Sequence, residues 1–157
     1  MPDLKDSDTT SQILNLNSEL DFNQALMISK SVDFYSKKYG IDQKIYLSII
    51  KTESNFDQAA VSPTGDISLA QINVPVWNRE FKRLHLPLIN YQKLKHNSDY
   101  AVEVMSIILT IFKNRYASSD PQWFARYHSS TLRFKNIYLA KLSVHQELLA
   151  QAKMAIE

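Results

Sequence analysis

The chain has 157 residues, 45% of them hydrophobic, and its 18 basic and 16 acidic side chains leave a formal net charge of +2. That length supports one domain with a real core and is too short for two comfortable ones, while so even a charge, with no dense Lys/Arg run, argues against nucleic acid as a partner. Cysteine is absent, which excludes disulfides, thiol catalysis and thiolate metal sites but leaves the compartment open.

Residues 1–20 are polar and rich in Asp, Ser, Thr and Asn, with Ile13, Leu14 and Leu16 as a short apolar cluster. They are expected to be a mobile arm ahead of a domain spanning 21–157. From Asp21 the apolar positions Ala25, Ile28, Val32, Tyr35 and Tyr39 recur at helical spacing and Gly40 follows as a left-handed stop, so the first helix is predicted there. Asp42 caps a second, with Ile41 placed to staple onto Tyr46, and with Ile45, Ile49 and Ile50 on its buried face. Glu53 falls on its last turn. Residues 57–66, with Pro63 and Gly65, read as a loop or small hairpin, and a short helix is predicted over 68–73. The stretch 74–91, which mixes prolines with Trp77, Phe81 and Leu84, reads as short helix and loop. A long helix is predicted from Asn97 to about Tyr116. Within 101–112 only Glu103, Ser106 and Thr110 are polar, so this helix should be the centre of the core. The apolar segment 101–112 is too short for a membrane span, which needs about twenty apolar residues. Asp120-Pro121 starts a helix to about His128, and a last helix is expected over 131–155, with Phe134, Tyr138, Leu142, His145 and Leu149 on one face. The expected fold is therefore all-α, with at most one small hairpin.

One arrangement suggests chemistry. Thr52-Glu53-Ser54-Asn55-Phe56 ends an apolar helix, and the tight turn Ser62-Pro63-Thr64-Gly65-Asp66 leads from it to Gln71. An acid that protonates a glycosidic oxygen must hold its proton until needed, so its acidity has to be weakened from about 4.3 towards 6 or 7. A helix C-terminus disfavours a carboxylate there, and apolar neighbours such as Ile50 and Phe56 desolvate it. Taken alone, Glu53 is an ordinary surface acid; its surroundings lift it. Gln71 and Asn73 have amides suited to acetamido and hydroxyl groups, or to helix capping. Asp57 and Asp66 sit in turn-like sequence where Asp caps backbone groups. No histidine pair has metal-ligand spacing with a supporting acid, so His85, His96 and His145 read as surface or core residues and no metal or other cofactor is expected.

Glu53-Ser54-Asn55-Phe56, then Ala60-Val61-Ser62-Pro63-Thr64-Gly65-Asp66, then Leu69-Ala70-Gln71-Ile72-Asn73 together resemble the soluble lytic transglycosylase family of the goose-lysozyme-like superfamily. The likeness extends to Ala125-Arg126-Tyr127-His128-Ser129-Ser130, which is similar to the family's Ala-Tyr-Asn segment. Two positions depart from the pattern: Ser68 stands where the family has glycine before Leu-Met-Gln, and His128 stands where it has asparagine. The resemblance implies a lysozyme-like helical domain with a central buried helix and a substrate cleft. It also implies Glu53 as the single catalytic acid, with Tyr127 in the cleft and Ser62, Ser68, Gln71, Asn73 and His128 among the substrate-binding positions.

The reaction so implied is cleavage of the β-1,4 bond between N-acetylmuramic acid and N-acetylglucosamine in peptidoglycan glycan strands, with 1,6-anhydro ends. A hydrolytic muramidase would instead want a second carboxylate, for which Asp66 and Asp57 are the candidates. An idle, lysozyme-like domain that binds glycan or docks to an envelope secretion or cell-wall machine is the alternative from another class; the polar N-terminal residues would suit docking. The start, Met1-Pro2-Asp3-Leu4-Lys5-Asp6, lacks the basic and apolar runs of a signal peptide. A monomer in the periplasm is expected, with a leader upstream in the natural gene product.

Overall fold

The computed structural model describes residues 4–127. Among them are helices α1 (Leu4–Leu16), α2 (Phe22–Tyr39), α3 (Gln43–Ser54), α4 (Val74–Arg83), α5 (Tyr91–His96) and α6 (Ser98–Tyr116), then a 3-10 helix at Trp123–Tyr127, and no strand. The fold is all-α, as the spacing of apolar residues predicts.

Local chemistry sets the helix ends. The Asp21 carboxylate accepts from the Gln24 N–H at 3.2 Å to start α2, and Gly40, at φ 65°, closes it. Asp42 accepts from the Lys44 N–H at 2.9 Å to start α3, and Asn97 accepts from the Tyr100 N–H at 3.0 Å to start α6. Each such cap satisfies a donor that a helix start otherwise leaves open.

The core gathers round α6, whose Ala101, Val102, Val104, Met105, Ile108 and Leu109 are buried with Tyr46, Leu47, Ile49 and Ile50 of α3. The polar stripe of α6 is partly internal. Ser106 lies in the core, receives the Tyr46 hydroxyl at 2.7 Å and donates to the Val102 carbonyl at 2.8 Å, so burial leaves neither hydroxyl unpaired. Loss of water raises the pKa of the Tyr46 phenol to about 12.

The structure departs from the sequence-based expectation in several places. The expected mobile arm contains α1, which packs on α2. Ile13 and Leu16 are buried there, the Thr9 hydroxyl donates to the Asp33 carboxylate at 2.7 Å, and the Thr10 and Ser29 hydroxyls share a bond of 2.8 Å. Part of that contact face is hydroxyl against polar partner, a pattern that apolar periodicity does not register. Residues 68–73 are not a helix: Ser68 and Gln71 are left-handed, at φ 73° and 49°, and Ile67 pairs with both Val61 and Ile72 as isolated bridges. Between 74 and 91 the chain is α4 followed by loop, with α5 added directly after. The helix expected from Asp120 is the short 3-10 turn ending at Tyr127. His128 and the helix expected over 131–155 lie outside the described residues.

A salt-bridge cluster ties α4 to α6. Glu80 accepts from the Arg83 guanidinium at 2.6 and 3.2 Å and also pairs with Arg115. These charge-assisted bonds hold the Glu80 carboxyl at about 2, against an ordinary 4.5. A folded value below the unfolded one stabilises the fold fully above about pH 4.5, and that contribution is lost as pH falls through about 2. Glu80→Gln removes it. The stability gap between wild type and variant, measured by denaturant unfolding, should therefore be widest near neutral pH and close progressively below about pH 4.5.

Candidate active site

Glu53 is partly buried on the last turn of α3. The helix stops abruptly behind it, because Asn55 and Phe56 are both left-handed, at φ 52° and 65°. Asn tolerates that region, whereas a bulky residue such as Phe pays about 1–2 kcal/mol to adopt it. Burial of the Phe56 ring, 1% exposed, offsets the strain. The sharp reversal sends the chain straight into the turns that face the acid.

Those turns form a hub made of backbone carbonyls. The Ser54 hydroxyl donates to the Leu69 carbonyl at 2.7 Å, binding the end of α3 to the 67–72 loop. The Tyr127 hydroxyl donates to the Ala70 carbonyl at 2.7 Å, binding the 3-10 helix to the same loop. Gln58 accepts from the Leu69 N–H at 3.4 Å and donates to the Leu94 carbonyl at 2.8 Å. Ser54, next to Glu53, and Tyr127 are thus both bonded to one short segment.

Electrostatics places a third group with them. Burial pushes the Tyr127 phenol well above its ordinary range, and the charges of Glu53 and then Asp66 push it further. Tyr127 stays a neutral donor at any physiological pH. The Tyr127 hydroxyl donates to the Ala70 carbonyl, while the charge of Glu53 acts on the phenol electrostatically.

The 62–66 turn is internally closed. Ser62 and Thr64 hydroxyls donate to one oxygen of Asp66 at 3.0 and 3.1 Å, and the Asn73 amide donates to the other at 3.2 Å. Asn73 also caps α4, accepting from the Val76 N–H at 3.2 Å. Its amide is therefore occupied by the turn and the helix start. Asp57 is exposed and accepts from the Ala59 N–H at 2.9 Å, a local turn bond. The Gln71 side-chain nitrogen donates to the Ala60 and Ser68 carbonyls at 3.0 and 2.9 Å. Both partners are acceptors, so that end must be the NH2 group and both of its protons are used. The carbonyl oxygen of Gln71 is the atom left to address a ligand.

Ser68, the position at which the pattern has glycine, is buried and left-handed at φ 73°, and its hydroxyl accepts from the Ala70 N–H at 3.2 Å. Strain of about 1 kcal/mol is thereby offset by a bond that a glycine cannot make. Ser68→Gly relieves the strain yet orphans a buried N–H and adds unfolded-state freedom, so it should lower stability by about 1–2 kcal/mol in a denaturant titration. An increase in stability would show that the hydroxyl contributes nothing.

Ser54, Gln58 and Tyr46 belong to this scaffold and were not singled out from sequence as site residues. A serine after the acid was in view, but its target is a main-chain carbonyl, which leaves no residue signature. Among the described residues no three His, Asp or Glu side chains cluster so as to hold a metal, and no helix is long and apolar enough to cross a membrane. His85 and His96 are exposed, and His145 lies outside the described residues. An apolar hollow of about 510 Å³ lies elsewhere, between the loop carrying Leu86 and Leu88 and the face of α6 that bears Glu103 and Ile107.

An all-α domain whose core helix carries an acid on its last turn, with that helix end and a partly buried tyrosine bonded to one loop, is of the lysozyme-like helical class. The sequence profile of the Transglycosylase SLT domain family matches residues 30–136, well over half of the chain, and the chain belongs to that family. The match takes in Glu53, the turn, Gln71 and Tyr127. A search of the curated proteins matched none of them.

Proposed function

We propose that this chain is a peptidoglycan lytic transglycosylase in which Glu53 acts first as acid and then as base. The observation that carries the reading is the position of Glu53: it lies on the last turn of a core helix, its neighbour Ser54 shares the 67–72 loop with Tyr127, and it lies inside the family match. Protonated Glu53 gives its proton to the bridging oxygen as the bond from that oxygen to the muramoyl anomeric carbon breaks. The resulting carboxylate takes the proton of the muramoyl 6-hydroxyl while that oxygen bonds to the same carbon. No water is consumed, and one carboxyl serves both steps because the first leaves it as the base that the second requires.

A hydrolase needs a further carboxylate to act on water or on the developing cation. Asp66 has both oxygens engaged by Ser62, Thr64 and Asn73, which supports its role as the closing group of a turn and favours the one-carboxylate reaction. In this proposal Gln71 meets the glycan through its carbonyl oxygen, Tyr127 keeps the loop and the local charge in place, and His128 is a further substrate-binding residue. Ser62, Ser68 and Asn73 act by shaping the turn. The partner is the glycan strand and the site of action is the periplasm, with the protein working as a monomer.

The test is the product. Purified sacculi incubated with the protein should release muropeptides ending in 1,6-anhydro-N-acetylmuramic acid, one water lighter than hydrolytic ends by mass spectrometry. Hydrated reducing ends would make the enzyme a muramidase, and no release of either kind would leave a glycan-binding or docking domain.

A further inference from the structure

The end of α3 is held by a residue that lies outside the family match. Asn17, in the connection between α1 and α2, donates its side-chain N–H to the Asn55 carbonyl at 2.9 Å and accepts from the Glu19 N–H at 3.1 Å. One partner is an acceptor and the other a donor, so the orientation of the amide is fixed by them. We propose that Asn17 is a positioning residue for Glu53, clamping from α1 the reversal that ends the acid's helix. The proposal rests on the reading of Glu53 as the acid.

Asn55 and Phe56 are left-handed in succession, immediately after Glu53 and Ser54. Left-handed residues other than glycine persist where surrounding contacts over-determine them. Inside the helix, the Lys51 ammonium donates to the Asn55 side chain at 2.6 Å; from outside, Asn17 takes the main-chain carbonyl. Asn17 is itself delivered by a fixed element, since Ile13 is fully buried and the Thr9 and Thr10 hydroxyls bond to α2. A polar cavity of about 520 Å³, lined by Asn17, Asp21, Ser54 and Asn55 among others, lies beside the contact and gives the reversal room to move once the clamp is lost. Glu53, on the turn just before, moves with it.

Asn17→Asp keeps the acceptor for the Glu19 N–H and replaces the donor to Asn55 with a carboxylate oxygen that its carbonyl repels. Displacing an acid by a fraction of an ångström acts on the chemical step, so kcat for anhydro-product release should fall about five- to tenfold while KM changes less than about twofold. The thermal midpoint of Asn17→Asp should stay near wild type, and amide hydrogen exchange at 55–57 should quicken. Asn17→Ala, which also loses the Glu19 contact, should reproduce the kcat effect. A drop in activity matched by the unfolded fraction, a change confined to KM, or unchanged exchange at 55–57 with an active wild type would overturn the clamp alone. A wild type that releases no anhydro product would instead overturn the reading of Glu53 and remove what Asn17 is said to position.

Discussion

Glu53→Gln is expected to stop release of anhydro products, lowering turnover by about three orders of magnitude while leaving the helical fold intact. The amide matches the carboxyl in size, so the packing around the partly buried end of α3 need not change. It also carries no charge at a helix C-terminus, where a carboxylate is disfavoured, so stability should hold or rise slightly. What the amide lacks is a proton that it can give to a leaving oxygen and take back from a hydroxyl. Both steps depend on the same atom, so a loss at either one is a loss of turnover. Muropeptide release by wild type and variant, beside their thermal midpoints, decides the matter: a variant that retains turnover would remove Glu53 from the reaction, and one that unfolds would say nothing against it, in which case Glu53→Asp, with its shorter reach, should show the same loss of kcat in a folded protein.

The helical frame was legible because its signals are chemical and local. Asp21, Gly40 and Asp42 mark helix ends by what their side chains or backbones can do, and α6 declares itself by an apolar run broken at Glu103, Ser106 and Thr110. α1 was not legible because Thr9, Thr10 and Gln12, buried beside Ile13 and Leu16, read as solvent-facing. α5 was missed for a different reason: six residues with only Leu94 buried display no periodicity. The 67–72 loop misled because the left-handed turns at Ser68 and Gln71 are held by side-chain bonds that residue spacing does not reveal. At the site, the candidate acid could be read from its company. The carbonyls of Leu69 and Ala70, which the scaffold uses to bring Ser54 and Tyr127 together, have no residue identity to read.

Phe56→Ala should be the most damaging single change to stability near the site, costing about 3–5 kcal/mol in denaturant unfolding. The ring is 1% exposed, so its removal takes a large apolar surface out of the core and leaves a void that the surrounding helices can only partly close. The backbone adds to the cost. At φ 65° alanine meets the same left-handed strain as phenylalanine but brings no buried ring to offset it. Relaxation therefore favours moving the reversal itself, and with it the last turn of α3 that carries Glu53. Activity per folded molecule should fall as well, measured at a temperature where the variant remains folded. Phe56→Leu separates the two effects: it keeps an apolar side chain to pin the reversal, so it should lose clearly less stability than alanine and retain most of the turnover. A loss below about 1.5 kcal/mol for Phe56→Ala would mean that the ring does not hold the left-handed pair, and the sharp end of the acid's helix would then need another cause.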